Sequence, residues 1–269
     1  MSKAIRFAVK FSAFLTFGTL FYIIGYILVR GIPSLNLSLF EFNYTTQNVS
    51  LFPAMITTII LVALTLLVAT PIGVFTGFYL VEYARKGNKL VEVIRIATET
   101  LSGIPSIVYG LFGMLFFVIR LGFQYSLIAG TLTSSIMVLP LIIRSTEESL
   151  LSVDDSLREA SFGLGAGKLR TIFRVVLPVA MPGILSGIIL SIGRVVGETA
   201  ALIFTLGTAT KIPDGLFSSG RTLSLHMYLL SSEGLHVNES YATGVILLAI
   251  VLIINGFSTF MSNKLTKGR

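Results

Sequence analysis

The sequence predicts an all-α integral membrane protein with six membrane-spanning helices. Of its 269 residues, 54% are hydrophobic and only 12% are charged, whereas a soluble globular domain carries about 25% charged residues. The charges stand in short clusters between long apolar runs. Cysteine is absent, which excludes a disulfide framework, a thiolate nucleophile and a cysteine-ligated metal. Composition therefore favours a multi-pass chain surrounded by membrane lipid.

Six apolar runs are long enough, or nearly so, to cross a bilayer core of ~30 Å, which needs ~20 residues of helix. The third run is short and follows an amphipathic stretch over residues 90–104, and two ionisable residues interrupt the fifth. The predicted spans are residues 11–29, 53–81, 105–119, 125–143, 178–204 and 241–260.

The basic residues predict the orientation of these spans. With the N-terminus inside, fifteen of the 20 Lys and Arg residues lie on inner segments, four lie on outer segments and Arg194 lies within a span. Since Lys and Arg accumulate in cytoplasmic loops, both termini are expected in the cytoplasm. Orientation alone then accounts for the net charge of +7, so nucleic acid is not an expected partner.

The inner loop, residues 144–177, is predicted to form two short helices around a glycine turn. Ser152, Asp154 and Asp155 offer N-cap side chains before a first apolar-periodic stretch. Alternating glycines suit a helix end and a sharp turn, and a second periodic stretch follows: Leu169, Ile172, Phe173 and Val176. Such a hairpin suits the docking of a partner, and an ordinary solvated loop is the alternative.

The glycine-rich run does not match a nucleotide-binding P-loop. That motif needs Ser or Thr after its Gly-Lys pair, whereas Leu169 follows Gly167-Lys168 and Phe162 stands where the first glycine belongs. This chain therefore does not bind ATP by that motif.

The loop resembles the EAA motif of ABC-importer permeases, E-A-A-x3-G-x9-I-x-L-P. Ser161 replaces the third small residue and Val175 replaces the Ile, and the other matching residues are Glu159, Ala160, Gly165, Leu177 and Pro178. In that family the first helix of the loop inserts into a cleft of the ATP-hydrolysing subunit. The resemblance therefore implies that this loop couples a pore-forming, non-enzymatic subunit to its ATPase, and it implies no cofactor and no metal.

Arg194 and Glu198 are ionisable residues inside the fifth predicted span, where each costs at least ~2.5–3.5 kcal/mol on insertion scales. On a continuous helix their i, i+4 spacing places them on one face, together with Gly183, Gly187 and Ser191. The third span carries a similar stripe, composed of Gly103, Ser106, Gly110 and Gly113. Two such stripes suit the walls of a translocation path. A structural Arg–Glu ion pair and close helix packing at the glycines are the alternatives.

Further segments are similar to phosphate-transport permeases. They are YLVEYA (79–84), GIPSIVYGLFG (103–113), GRVVGETAALIFT (193–205) and LHMYLLSSEG (225–234), the last closer to the A subunit of the permease pair than to the C subunit. An arginine facing the path suits an anionic, oxygen-rich substrate. The resemblance begins near residue 51, so residues 1–50 are expected to supply the first span and an outer loop. Residues 51–269 are expected to form the permease domain, with the coupling loop at 144–177.

The resemblance implies the type I ABC importer permease fold and phosphate import across a bacterial inner membrane. The implied partners are a second homologous permease subunit, two ATPase subunits and an extracytoplasmic phosphate-binding protein. A permease for another oxyanion, such as molybdate or sulfate, is the near alternative. A channel or scaffold acting without ATP conflicts with the EAA loop. An intramembrane enzyme lacks a catalytic set, because the sequence has no H-E-x-x-H, no Cys and no His within a predicted span.

His226 and His236 lie in the outer segment 207–240, with Glu233 nearby. Two His and a carboxylate are zinc ligands in principle, but this spacing matches no known zinc motif. Contact with the binding protein and an ordinary surface position are the two interpretations left open.

Overall fold

The computed structural model describes residues 3–84 and 87–267, and all regular structure in these two ranges is helical. The longer helices are α1 (Lys3–Gly31), α2 (Phe52–Phe78), α3 (Lys89–Ser102), α5 (Leu127–Leu151), α8 (Leu177–Val196), α10 (Leu223–Glu233) and α11 (Val237–Lys267). The shorter helices are α4 (Ser106–Gly113), α6 (Asp155–Gly163), α7 (Lys168–Thr171) and α9 (Ala200–Ile203). Three π-helical turns extend α2, extend α4 and join α7 to α8: Tyr79–Tyr83, Met114–Arg120 and Ile172–Val176.

Five of the described helical segments are long and apolar enough to cross a membrane, and a bent pair supplies the sixth. That pair is Lys89–Ser102 followed by Ser106–Arg120, with an angle of 105° between the two helices. Pro105 explains the break, because a proline disfavours helix at the residue before it and has no N–H to donate. The part after the bend is about 22 Å long, which agrees with the short third span that the sequence predicts.

The centre of the bundle is a tight packing of α2, α5 and α8. On α2, Gly73 and Gly77 face α5 so closely that a Cβ at Gly77 would lie 2.6 Å from Thr146 Cγ2. On α8, Gly183 and Gly187 face Ser149 and Ser145 of α5 in the same way. Small residues let membrane helices approach each other. The three helices therefore share a well-packed core, which includes Leu61, Ala69, Met137, Val138, Ile142 and Val195.

α1 lies at the periphery and packs against α11. The apolar window of α1 has no residue buried inside the chain, and large side chains such as Phe7, Phe14 and Phe21 are exposed, as expected for a helix in contact with lipid or another subunit. Arg85, Lys86 and Arg269 contribute to the basic count that predicts the orientation, and Arg269 also ends the predicted permease domain. These three residues lie outside the described ranges.

The predicted outer loop after α1 and the outer segment 207–240 form a cap on one end of the bundle. Leu39, Val49 and Leu51 pack with Leu223 and Leu230 of α10. This cap lies at the opposite end of the bundle from α6 and α7, because α5 and α8 both run from one end to the other.

Candidate functional site

Two short helices, α6 and α7, form a hairpin between α5 and α8, as the sequence predicts. The Asp154 carboxylate accepts a hydrogen bond from the Ser156 amide at 2.8 Å and caps α6, and this bond holds the pKa of that carboxyl below its usual value. Gly165 ends the helix at φ +79°, a conformation that glycine adopts without steric cost. The amides of Gly165 and Ala166 donate back to the carbonyls of Phe162 and Ser161 at 2.9 and 3.1 Å. This pattern is a Schellman motif.

Ser161 links the two helices of the hairpin. Its hydroxyl lies 2.8 Å from the hydroxyl of Thr171, which is buried. The Ser that stands in place of the second Ala of E-A-A therefore has a structural role here, because it fastens α6 to α7.

The hairpin presents an exposed apolar surface among charged residues. Leu164 is 89% exposed, and Leu157, Phe162, Leu169 and Phe173 are also exposed. Glu159 and Ala160 are exposed beside them, whereas Leu177 and Pro178 are half-buried at the start of α8. Exposed apolar patches rimmed by polar residues mark interaction sites. The structure thus brings Glu159, Ala160, Ser161 and Gly165 together at one tip, and it places Leu177 and Pro178 where the chain re-enters the bundle.

Arg158 and Glu82 are two residues of this region that sequence reasoning missed. The Arg158 guanidinium donates to Glu82 Oε1 at 3.0 Å and also to the carbonyls of Leu150 and Val153. A usable signal was present, since Glu82 is the sole carboxylate between Glu41 and Glu92 and follows a long apolar helix.

Arg194 and Glu198 do not share a continuous helix, which corrects the expectation from their spacing. α8 ends at Val196 with Gly197 as its C-cap, and α9 begins at Ala200. Glu198 Oε1 accepts a hydrogen bond from the Ala201 amide at 2.9 Å. No ion pair in the described part of the chain involves Arg194, so the structural ion pair with Glu198 is not formed. Arg194 is half-buried and lies within electrostatic range of Tyr109.

The glycines of the fifth span pack against α5. Because Gly183 and Gly187 approach Ser149 and Ser145 closely, close helix packing explains both. Ser191 is 0% exposed, and its hydroxyl donates to the Gly187 carbonyl at 2.9 Å. Within this subunit Ser191 therefore belongs to the interior of the bundle and not to an open surface.

The stripe expected on the third span is divided by the bend at Pro105. Gly103 is exposed at the end of α3, whereas Ser106 begins α4 and is half-buried. Gly110 packs against α9, where a Cβ would lie 2.7 Å from Ala201 Cα.

The structure instead contains two helix breaks, residues 103–105 and 197–199, and the helices that follow them, α4 and α9, pack against each other. A cleft of about 590 Å³ lies beside the second break, and its lining includes Ile107, Thr199, Ser224, Met227 and Tyr241. The Ser224 hydroxyl donates to the Glu198 carbonyl at 2.6 Å. Non-helical backbone at membrane depth is tolerated only where protein buries it or where it lines a cavity. The two breaks are therefore expected to be buried by protein or to line a cavity, and Thr199 of the second break lies at the cleft.

His226 is not a surface residue. It lies on α10, is 0% exposed, and has its pKa lowered to about 3 by burial and then by the positive charge of Arg221. His236 lies apart from it, 3.8 Å from Glu239. The described residues contain no group of three His, Asp or Glu side chains placed to hold a metal ion.

Residues 69–267 match the family described as the binding-protein-dependent transport system inner membrane component. The chain is 33% identical over 266 residues to the probable ABC transporter permease protein YqgI of Bacillus subtilis, covering 90% of this chain and 88% of that protein. It is 38% identical over 198 residues to the phosphate transport system permease protein PstA of Mycobacterium leprae, covering 72% of this chain and 63% of that protein. It therefore spans less than two thirds of the length of that phosphate permease.

Solved structures share the fold at low sequence identity. A chain of a bacterial alginate ABC transporter, in complex with an alginate pentasaccharide-bound periplasmic protein, superposes with a TM-score of 0.69 at 17% identity and covers 97% of this chain and 96% of its own. A chain of the MetNI methionine ABC transporter in an inward-facing conformation gives a TM-score of 0.62 at 20% identity, and the match covers 90% of this chain and 97% of that chain. The fold is thus that of type I ABC importer permeases. Since the family match covers most of the chain, this multi-pass membrane protein belongs to the family of inner-membrane components of binding-protein-dependent transport systems.

Proposed function

We propose that the chain is the A-type permease subunit of an ABC importer that moves inorganic phosphate into a bacterial cell. The observation that carries this proposal is Arg194, a half-buried cation one turn before a helix break, without an ion pair to the described carboxylates. A guanidinium offers a planar fork of donors that matches phosphate oxygens. The phosphate permeases among the relatives support the choice of phosphate.

The hairpin is proposed as the docking site for the ATPase. Its exposed apolar residues and Glu159 form the contact surface, and Gly165 sets the turn. ATP hydrolysis belongs to two partner ATPase subunits. A second homologous permease completes the path, and an extracytoplasmic phosphate-binding protein docks on the cap at the opposite end. The excess of basic residues on the hairpin side supports an orientation with both termini in the cytoplasm.

The path is proposed to run past the two helix breaks. Arg194 is the anion contact, and Gly103, Ser106 and Glu198 lie at the breaks. Ser191 lies on the same helix about one turn before Arg194, inside the bundle. The contact of phosphate with Arg194 is transient, because a tight site in the membrane would slow release. The arrangement would also suit molybdate or sulfate, and the relatives favour phosphate over both.

The test is uptake of radiolabelled phosphate by cells that lack this chain and other phosphate transporters, with molybdate and sulfate as competitors. The chain should restore uptake, and neither competitor should suppress it. Arg194→Gln should lower uptake at least about tenfold, since a charged hydrogen bond contributes about 1.5–3 kcal/mol. Arg120→Gln, at an exposed position, is the matched control and should transport normally. Suppression by molybdate or sulfate would replace phosphate as the substrate, and normal uptake by Arg194→Gln would remove that residue from the path.

A further inference from the structure

The hairpin is fastened to the π-helical turn Tyr79–Tyr83 at the end of α2 by one contact from each of its helices. From α6, the Arg158 guanidinium pairs with Glu82 at 3.0 Å. From α7, the Lys168 ammonium lies 4.7 Å from the centre of the Tyr83 ring, within the range of a cation–π interaction. Both helices of the hairpin therefore contact the same five-residue turn.

The ion pair is shielded from solvent and held in a fixed geometry. The side chains of Arg158 and Glu82 are 13% and 10% exposed. Arg158 also donates to the carbonyls of Leu150 and Val153, at 2.8 and 2.7 Å, at the end of α5. These bonds use the several fixed donors of a guanidinium, which the single ammonium of lysine does not reproduce. Arg158 also pairs with Asp155 at 3.0 Å, but the Asp155 side chain is 88% exposed, so Glu82 is its solvent-shielded counter-charge. Removing Arg158 would leave the Glu82 carboxylate, 10% exposed, without an ion pair among the described residues.

The turn is continuous with the rigid centre of the bundle. α2 contacts α5 closely at Gly73 and Gly77, where a Cβ would lie 2.7 Å from Ile142 Cγ2 and 2.6 Å from Thr146 Cγ2. Because packed helices with so little space between them move as a unit, a displacement of Glu82 displaces α2 and α5 together. π-helical turns inside α-helices are frequent at functional sites.

We propose that the Arg158–Glu82 pair is the link through which the hairpin moves α2 together with α5, so that both residues are positioning residues for coupling. This inference rests on the proposed function, in which the hairpin receives its motion from an ATPase. Without the pair, the hairpin still docks through its exposed tip. Its motion is then absorbed at the hairpin ends, and ATP is hydrolysed with little transport.

The experiment measures phosphate transported per ATP hydrolysed, with the complete transporter in proteoliposomes. Glu82→Gln should lower this ratio at least tenfold while the ATPase rate stays within twofold of wild type. Glu148→Gln is the matched control, because the Arg144–Glu148 pair at the same end of the bundle is more than half exposed, and it should keep the wild-type ratio. The double variant Glu82→Gln with Arg158→Gln should be no worse than the poorer single variant, because the two residues act as one unit.

A rescue separates coupling from mere stability. The chain has no cysteine, so Tyr83→Cys with Lys168→Cys provides a unique pair at the second contact. In the Glu82→Gln background, joining these thiols with a short bifunctional maleimide should restore the ratio, since it refastens the hairpin to the turn. Arg158→Lys keeps the charge, and its ratio of phosphate transported to ATP hydrolysed should lie between those of wild type and Glu82→Gln. This variant tests the link if Glu82→Gln accumulates poorly in the membrane.

A wild-type ratio in Glu82→Gln or in Arg158→Lys would overturn the link, as would failure of the cross-link to raise the ratio. If the wild-type transporter itself moves no phosphate, the proposed function fails instead. The link is then tested with the solute that the transporter does move.

Discussion

The contact between α5 and α8 at Gly187 makes Gly187→Ala a sharp test of the packing. A Cβ at this position would overlap both the hydroxyl and the Cβ of Ser145. A rotation about χ1 moves the Ser145 hydroxyl away but leaves its Cβ in place. The two helices must therefore separate to admit a single methyl group.

The expected cost follows from two opposing terms. Overpacking a tight core costs about 1–3 kcal/mol, and the overlap with a Cβ places this site near the upper end. Replacing Gly by Ala inside a helix regains about 0.8–1 kcal/mol. The net destabilisation is then about 2 kcal/mol, which corresponds to a fall in melting temperature of about 4–8 °C for a chain of this size.

The assay is thermal unfolding of the detergent-solubilised chain, monitored by light scattering and by loss of a monodisperse peak. Gly193→Ala is the control, because it lies on the same helix and a methyl group there would meet no neighbouring atom within 4 Å, and its melting temperature should stay level or rise. Ser145→Gly should restore stability to the Gly187→Ala variant by removing the overlapping group. A Gly187→Ala variant that melts at or above the wild-type temperature would refute the close approach of α5 and α8.

Two further predictions concern the hairpin and the cap. Gly165→Ala forces a residue with a Cβ into φ +79°, which costs about 1–2 kcal/mol, and it should lower phosphate uptake at unchanged membrane abundance. Gly167→Ala is the control, because Gly167 has φ −73°, and its uptake should equal that of wild type. Equal uptake by both variants would contradict the role of the turn. His226 has its pKa lowered to about 3, so the unfolded chain binds the extra proton below about pH 6.5 and stability is lost as pH falls from there toward 3. Between pH 6.5 and 4.5 the loss is about 2.3 kcal/mol, and melting temperatures measured against pH should show a shallower slope in His226→Gln. An identical slope would assign the pH dependence to other groups.

Local chemistry explains what the sequence predicted well. The spans follow from the length of the apolar runs, and the hairpin follows from the Asp154 cap and the glycine turn at Gly165. Both depend on residues close together in the chain. Pro105 is also a local signal for the bend. The single stripe predicted on the third span was wrong because the prediction assumed one continuous helix through the residue before this proline.

Tertiary structure explains what was missed. Gly197-Glu198-Thr199 interrupt the apolar sequence after Val196, and Gly197 is a local end signal that the helical projection passed over. The break itself is held by tertiary contacts, because Glu198 caps α9 and its carbonyl accepts a hydrogen bond from Ser224. The glycine stripe correctly marked a close-contact face, but only the positions of Ser145 and Ser149 identify a helix as the contact. Arg158 and Glu82 are 76 positions apart, a separation that spacing rules for a single helix do not reach.

The packing divides the bundle into a rigid part and a yielding part, and this division bears on the position of Arg194. α2, α5 and α8 are joined by glycine contacts that allow little sliding, whereas α3 with α4 and α8 with α9 are interrupted at residues 103–105 and 197–199. Arg194 lies on the rigid part, one turn before a break. A motion received at the hairpin would carry this guanidinium with α8 while the segments beyond the breaks adjust. In the proposed function, this motion would change the position of the Arg194 guanidinium relative to the helix break that follows it, as alternating exposure of a transient phosphate contact requires.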